Sequence, residues 1–333
     1  MASTPESTDL LDSAQAAGLV AAREVAAGAV DVRGAAVLLH GRAIAYATLS
    51  ETAERELTCL RLLAETELVP EVLRGPEARR GIAGRVIWTE AIRGARLSEL
   101  TGTMAELAEV CQAWGTALAT LHLAPAASAA EPPMAGRPWV LDPDRLPRSM
   151  RQAPAGSARA YVLRTLLSDR GLLRTAARLA DRWTADHWTH GDLTADRVLV
   201  QHRPDLRVRF VDLQVAGLGD PAWDLAGALD TVDELTAGPR TPWRTASGSC
   251  LRDYLLQGYR RTGGTAVADT GARALRIVAR AWESAAALDA RAGHPASMHP
   301  AVGQAAEASR LTERLAQARE LAARSARPGL VAA

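Results

Sequence analysis

One stretch constrains this chain more than any other. It is Trp188-Thr-His-Gly-Asp-Leu-Thr-Ala-Asp-Arg-Val-Leu-Val200, continued by Phe210-Val-Asp-Leu-Gln-Val-Ala-Gly-Leu-Gly-Asp-Pro-Ala-Trp-Asp-Leu-Ala226. Two short apolar runs, Val198 to Val200 and Val208 to Val211, read as buried strands facing each other across a turn. Asp192 stands at a loop edge before the first run, and Asp212 closes the second. That spacing brings two carboxylates to one end of a hairpin. One of them can take a proton from a hydroxyl nucleophile, and the other can hold a cation over phosphates.

The rest of the chain is large enough to build a site around such a hairpin. Its 333 residues allow one large domain or two lobes sharing a cleft. A hydrophobic content of 48% with 23% charged residues belongs to a globular protein. A net charge of +1 argues against binding nucleic acid or a membrane surface by bulk electrostatics. All 39 basic residues are arginine, and the sequence contains neither lysine nor asparagine. Cys59, Cys111 and Cys250 are far apart and fit neither a disulfide framework nor a metal knuckle. They read as reduced thiols. The acidic Met1 to Asp12 stretch lacks a signal pattern, and no apolar run reaches membrane-spanning length. The expected location is cytoplasmic.

The periodicities predict three segments: a tail and alanine-rich helix in 1–30, a small lobe in 31–90 and an α-rich lobe in 91–333. The first helix is expected over Leu10 to Ala27. Ala35 to Thr48 reads as two strands turning at His40-Gly41. Ser50 or Thr52 is placed to cap a helix over Glu54 to Leu63, with Leu57, Leu60 and Leu63 on one face. Val69 to Leu73 and Gly84 to Trp88 supply further strands. Met104 to Leu123 is amphipathic and ends in His122, which reads as a packing residue. Residues 124–155, rich in Pro, Ala and Ser, form a loop or insertion that could border an acceptor. Helices are expected over Ser157 to Leu167, Gly171 to Trp183, Gly248 to Arg261, Thr270 to Ala292 and Gly303 to Arg324. His294 and His299 flank Met298, with too few partners for zinc.

The stretch from Trp188 to Ala226 closely resembles the catalytic region of the aminoglycoside phosphotransferase family. The resemblance implies an α+β, bilobal, protein-kinase-like fold with a small β-rich N-lobe and a larger α-rich C-lobe. It also implies phosphorylation of a hydroxyl group using ATP (or GTP) and Mg²⁺. On this likeness Asp192 is the catalytic base, His190 orients its loop, and Asp212 binds the metal. Asp220 caps the helix opening at Pro221, and Asp224 ties that helix to the catalytic loop; both are structural. Arg55-Glu56-Leu57 matches the helix whose glutamate steadies the ATP-binding lysine, which makes Glu56 the candidate. Trp88-Thr-Glu-Ala91 resembles the hinge, where backbone groups of Thr89, Glu90 and Ala91 would meet adenine.

The sequence departs from the family at two charged positions. Tyr46 falls where the strand lysine is expected, and a tyrosine carries no permanent positive charge. Arg42 lies on the same strand and could substitute only with a register shift. Arg197 stands where the family places a metal-binding asparagine. Arginine has no acceptor lone pair and cannot ligate Mg²⁺. Three readings follow: Arg197 contacts phosphate in a rewired but active site; Asp196 supplies the second metal contact; or the chain is a pseudokinase that binds a partner. The acceptor is a small molecule of aminoglycoside type or a peptide Ser or Thr. Relatives of this fold act in lanthipeptide and thioamitide biosynthesis, where a leader peptide or partner enzyme would belong to the complex.

Overall fold

The structure, a computed structural model, describes residues 15, 18–26, 30–33, 36–39, 42–50, 52–78, 85–126, 131–202, 205–237, 243, 246–292 and 301–326. Its helices are α1 (Ala22–Ala26), α2 (Ala53–Leu62), α3 (Met104–Leu123), α4 (Arg148–Arg151), α5 (Ala158–Ser168), α6 (Arg170–Arg182), α7 (Pro221–Thr236), α8 (Gly248–Arg261), α9 (Thr270–Ala292) and α10 (Ala301–Ser325). The strands are β1 (Val30–Arg33), β2 (Ala36–Leu39), β3 (Arg42–Ser50), β4 (Val72–Ala78), β5 (Arg85–Glu90), β6 (Ala95–Arg96), β7 (His187–Thr189), β8 (Val198–Gln201), β9 (Arg207–Phe210) and β10 (Gly217–Gly219). This is the mixed α+β architecture that the resemblance implies, with a smaller sheet-bearing region and a larger helical one. Contacts group the chain into two compact units. One comprises Met1–Ala135, Asp186–Leu218 and Glu234–Gly264; the other comprises Gly136–Ala185, Gly219–Asp233 and Thr265–Ala333.

The first unit opens with an antiparallel sheet in the order β1-β2-β3-β5-β4. Val37, Ala45, Ala47, Val86 and Trp88 bury one side of it together with Val20. The helix expected from Leu10 is interrupted within its described part. Gly18 takes φ +73, a left-handed conformation that ends a helix, and only Ala22–Ala26 continues as α1. The carboxylate of Glu24 caps that restart by accepting from the Ala21 amide at 2.8 Å. Strand β4 begins at Val72, so the expected Val69 lies buried just ahead of it. Leu57, Leu60 and Leu63 bury the inner face of α2. Thr52 occupies the cap position but makes no side-chain cap bond; its hydroxyl donates to the Gln214 carbonyl at 3.1 Å instead. Ser50 closes β3.

Helix α3 spans the expected residues. It starts with a reciprocal capping box between Thr103 and Glu106, which also holds the Glu106 carboxyl below its usual range. It packs on α8 with backbone against backbone. A Cβ on Gly115 would lie 1.9 Å from the Leu255 carbonyl oxygen, and one on Gly258 2.0 Å from that of Gln112. Any side chain at either position would force the two helices apart. His122 is buried and its Nδ1 sits 2.8 Å from the Tyr259 hydroxyl, a packing role as expected.

The second unit has its own core, built by Val162 and Leu166 of α5, Leu172 and Ala176 of α6, Trp223 of α7, Leu275 and Val278 of α9, and Leu315 and Ala318 of α10. The Ser157 hydroxyl caps α5, and the Asp169 carboxylate caps α6. Within the expected loop 124–155, short helical turns at Trp139–Leu141 and Pro143–Arg145 precede α4, and Val140 and Leu141 join the core. His294, Met298 and His299 lie outside the described residues.

Candidate active site

Strands β8 and β9 form the hairpin that the apolar runs predict, with Val198 opposite Phe210 and Val200 opposite Val208. All four side chains are buried. The Val211 amide donates to the Arg197 carbonyl at 3.0 Å, which fixes the separation of the two strands at the end that matters. Beside this end β7 pairs with β10. The Thr189 hydroxyl at the end of β7 donates to the Gly217 carbonyl at 3.0 Å. Strand β7 thereby delivers His190 and Asp192 to the hairpin.

His190 is fully buried, and its ring joins the two acid-bearing segments. Nε2 lies 2.9 Å from the Val211 carbonyl oxygen. A carbonyl only accepts, so Nε2 carries the proton. Nδ1 is then the bare nitrogen, and it accepts from the Asp192 amide at 3.4 Å. One neutral tautomer satisfies both contacts. Gly191 follows with φ +81, and a Cβ there would stand 3.0 Å from the Val215 carbonyl oxygen. A side chain would be strained twice over, in dihedral and in space.

Asp192, Arg197 and Asp212 meet at the hairpin's open end. Arg197 Nε donates to Asp212 Oδ2 at 2.7 Å. Its Nη1 donates to the Asp192 carbonyl oxygen at 3.0 Å and also pairs with Asp192 Oδ2. The three side chains retain 29% (Arg197), 19% (Asp192) and 32% (Asp212) of their exposure, so the pairs are partly screened from water. Asp212 takes φ +65, a left-handed conformation uncommon outside glycine. Such a dihedral in an aspartate is held by its surroundings, here the two hydrogen bonds that anchor Val211.

The adjacent Asp196 is directed elsewhere. Its carboxylate accepts from the Ser98 hydroxyl, and its carbonyl accepts from Arg96 Nη1 at 2.8 Å. Successive residues of the short turn Ala195–Arg197 diverge, so Arg197 turns to the two aspartates while Asp196 remains exposed.

On the sheet, Tyr46 pairs with Thr89 across β3 and β5 and is 39% exposed. Arg42 opens β3, and the β2–β3 register shifts between Val37 and Leu38. Glu56 on α2 is buried. The Trp88 side chain belongs to the sheet's core, so Trp88 could offer a ligand its backbone only. Thr89 is also buried. The Glu90 amide donates to the Glu71 carbonyl at 2.9 Å, and its carboxylate pairs with Arg209 at 2.7 Å. Ala91 is the first residue past the ladder. In the second unit, Asp220 Oδ1 accepts from the Ala222 amide at 2.9 Å and so caps α7. Asp224 is buried near Arg276, whose guanidinium lies 5.1 Å from the Trp223 ring. Burial and then Arg280 push the Arg276 pKa down, and Asp224 and Asp230 oppose them.

Among the described residues no three His, Cys, Asp or Glu side chains group as a metal site. A Mg²⁺ ion needs fewer protein ligands, since one or two carboxylates with phosphate and water oxygens suffice. Asp212 fits one such ion. A second ion would need a ligand where Arg197 sits, and a guanidinium does not fit that need. The sequence pattern carries no signal for Arg55 beyond its place beside Glu56, yet its side chain reaches the carbonyls of Met134, Val215 and Ala216.

A β-rich region, a helical region and a hairpin bearing two aspartates are consistent with a kinase-like phosphotransferase. Residues 33–288 match the profile of the phosphotransferase enzyme family, APH, and the chain belongs to that family. Family membership supports ATP- and Mg²⁺-dependent phosphoryl transfer in general. Solved structures share the fold at low identity. A candidate aminoglycoside phosphotransferase from Ralstonia eutropha JMP134 is 16% identical, with a TM-score of 0.58 over 87% of this chain and 88% of that one. Aminoglycoside phosphotransferase APH(4)-Ia, solved as a thermostable mutant with ADP and hygromycin B, is 14% identical, with a TM-score of 0.56 over 86% and 89%. The choline kinase LicA from Streptococcus pneumoniae is 15% identical, with a TM-score of 0.52 over 86% and 88%. No curated protein matches the sequence. No helix among the described residues is long and apolar enough to cross a membrane.

Proposed function

We propose that this chain transfers the γ-phosphoryl group of ATP to an alcohol hydroxyl with Asp192 as base, Asp212 as the Mg²⁺ ligand and Arg197 as a fixed cation. The bond between the γ-phosphorus and its bridging oxygen breaks, the acceptor oxygen takes its place, the hydroxyl proton passes to Asp192, and ADP leaves. The presence of both carboxylates, Asp192 and Asp212, at one end of the β8–β9 hairpin carries this reading. Phosphoryl transfer is catalysed chiefly by positioning and charge neutralisation. Arg197 has donors beyond those spent on Asp192 and Asp212, and a planar fork suits phosphate oxygens. When bound, Mg²⁺ supplies charge neutralisation at the phosphates. Glu56, Tyr46 and the backbone of Thr89 to Ala91 would face the nucleotide, and a buried Trp88 would hold that edge in place.

The acceptor is an alcohol of a small molecule or a Ser or Thr of a peptide, including precursor peptides of the kind dehydrated in lanthipeptide or thioamitide pathways. The loop 124–155 carries Glu131, Asp142 and Asp144 among several arginines, a poor lining for a polycationic drug. That composition favours a peptide or an uncharged alcohol.

The same contacts favour a second reading, a binding subunit that serves a partner enzyme. Arg197 closes both carboxylates, and Tyr46 replaces a cation. Calorimetry with ATP and GTP, with and without Mg²⁺, separates the two. Mg²⁺-dependent binding that disappears in Asp212→Ala is the result expected of the transferase. Binding that ignores both Mg²⁺ and Asp212→Ala would leave the subunit reading.

A further inference from the structure

We propose that Arg55 is a positioning residue for Asp212, acting by clamping helix α2 to the segment 213–216; this rests on the reading of Asp212 as the metal-holding carboxylate. Three side chains of α2 and its cap point the same way. Thr52, Arg55 and Cys59 are three and four residues apart, the spacing of one helical face. Each of them meets a carbonyl oxygen just beyond Asp212. Thr52 Oγ1 donates to Gln214 at 3.1 Å, and Cys59 Sγ lies 3.5 Å from the Ala216 oxygen. Arg55 does most. Its Nε donates to the Ala216 oxygen at 3.1 Å, and its Nη2 donates to Ala216 at 2.9 Å, Val215 at 3.3 Å and Met134 at 2.6 Å.

Among the described residues no carboxylate pairs with Arg55, so carbonyl oxygens alone receive its charge. This is an unusual use of a guanidinium, since Arg normally seeks carboxylate or phosphate. The geometry explains why arginine is used. Nε and Nη2, two nitrogens in one plane, hold the Ala216 oxygen from two directions while Nη2 also reaches Met134, whereas an ammonium group on a flexible stem offers a single nitrogen.

The consequence falls on Asp212. Its left-handed dihedral is held from one side by Val211, through His190 and the Arg197 carbonyl. Arg55 holds the other side, because residues 213–216 are the chain's only exit from Asp212. Arg55 also adjoins Glu56, so any displacement of α2 moves the candidate nucleotide glutamate and the Asp212 segment together. Groups that orient a metal ligand from outside its coordination shell typically change affinity by roughly ten- to a hundredfold when removed.

The test uses full-length Arg55→Ala and Arg55→Lys with three readouts: hydrogen exchange of peptides covering 212–218, ADP affinity with and without Mg²⁺, and thermal unfolding. In Arg55→Ala, exchange over 212–218 should accelerate while α3 and α8 keep their protection. The gain in ADP affinity on adding Mg²⁺ should shrink by roughly tenfold, with Mg²⁺-free affinity unchanged. Arg55→Lys should fall between Arg55→Ala and wild type. Unchanged exchange over 212–218 in the folded variant overturns the proposal. So does an equal fall of both ADP affinities in step with Tm, which is what a merely structural residue would give. Should Arg55→Ala fail to fold, Arg55→Lys decides alone, and wild-type values for it in exchange and Mg²⁺ gain overturn the clamp. A wild-type protein with no Mg²⁺ gain would count against Asp212 as a ligand, and the exchange arm would still judge the clamp.

Discussion

In the hairpin region, Asp192, Arg197 and Asp212 engage one another, and buried hydrogen bonds from His190 fix the backbone on both sides. In the five-stranded sheet, Tyr46, the residue that the resemblance sets at the position of a lysine, is 39% exposed on β3, and Glu56 lies buried on α2. On the proposed function, charge is kept and increased by one arginine where groups would react. It would be reduced where a ligand's phosphates are only bound. Transition-state charge and ground-state binding are separable requirements, and only interactions stronger in the transition state accelerate the chemical step. A protein of this design is expected to keep transfer chemistry while binding nucleotide weakly.

The comparison breaks most visibly at Asp192. Asp192→Asn keeps the size of the side chain and removes the proton acceptor. Phosphoryl transfer, followed as ADP release, should fall by roughly 10²–10⁴-fold, the span ordinarily supplied by a general base. Mg²⁺–nucleotide binding should persist. Wild-type turnover in the variant would remove Asp192 as the base and leave the transfer to another group.

The sheet offers the opposite experiment. Tyr46→Lys restores a cation at an exposed strand position, and a hydrogen bond to a charged group is worth roughly 1.5–3 kcal/mol, or about tenfold or more in affinity. Nucleotide affinity measured by calorimetry should rise by that order. No rise would mean that β3 presents position 46 away from the phosphates and that the missing charge is supplied from elsewhere.

What the sequence made legible divides along the same line. Asp192 and Asp212 could be placed because strand alternation and hairpin pairing are local, and Arg197 follows from Asp192 by a short fixed offset. Leu57, Leu60 and Leu63 were readable from helical spacing for the same reason. The two roles considered for Asp196 and Arg197 could not be separated by pattern. Their divergence depends on a tight turn and on Ser98, which is distant in sequence. The α1 break at Gly18 was hidden by an alanine-rich run that fits a helix at every other position. Thr52 has the right chemistry for a cap, but a carbonyl 162 residues away takes its hydroxyl. Arg55 is the extreme case, because nothing near it in the sequence signals that its partners are backbone oxygens at positions 134, 215 and 216.

Arg197→Ala sharpens the comparison in the hairpin itself. It leaves two neighbouring carboxylates without the cation between them. Because both are partly exposed, the cost should be about 1 kcal/mol, between the values for surface and buried pairs, measured by denaturant unfolding. Mg²⁺-free nucleotide binding should weaken as well. Arg197→Asn restores an oxygen ligand and should retain part of the Mg²⁺-dependent activity. If both variants unfold, bind and turn over as wild type does, Arg197 has no electrostatic role.

The smallest effect is chemical and reports on α2 directly. Cys59 and Cys111 are buried, whereas Cys250 is exposed. Burial pushes the Cys59 thiol up to about 12, with Arg55 opposing and Glu56 reinforcing the shift, and burial alone pushes Cys111 up to about 12. The thiolate is the reactive form, so near pH 8 both buried thiols hold roughly a thousandth of the thiolate an unshifted cysteine would carry. A thiol reagent should therefore modify Cys250 quickly and leave the other two. Cys59 faces the Ala216 carbonyl from the same side of α2 as Arg55. Separation of α2 from the segment after Asp212 would hydrate Cys59, lower its pKa and make it reactive, while Cys111 on α3 stays protected. Labelling of Cys59 in folded Arg55→Ala, without labelling of Cys111, is the expected pattern. Equal labelling of both would mean global opening, and the link between sheet and hairpin would then have no separate existence.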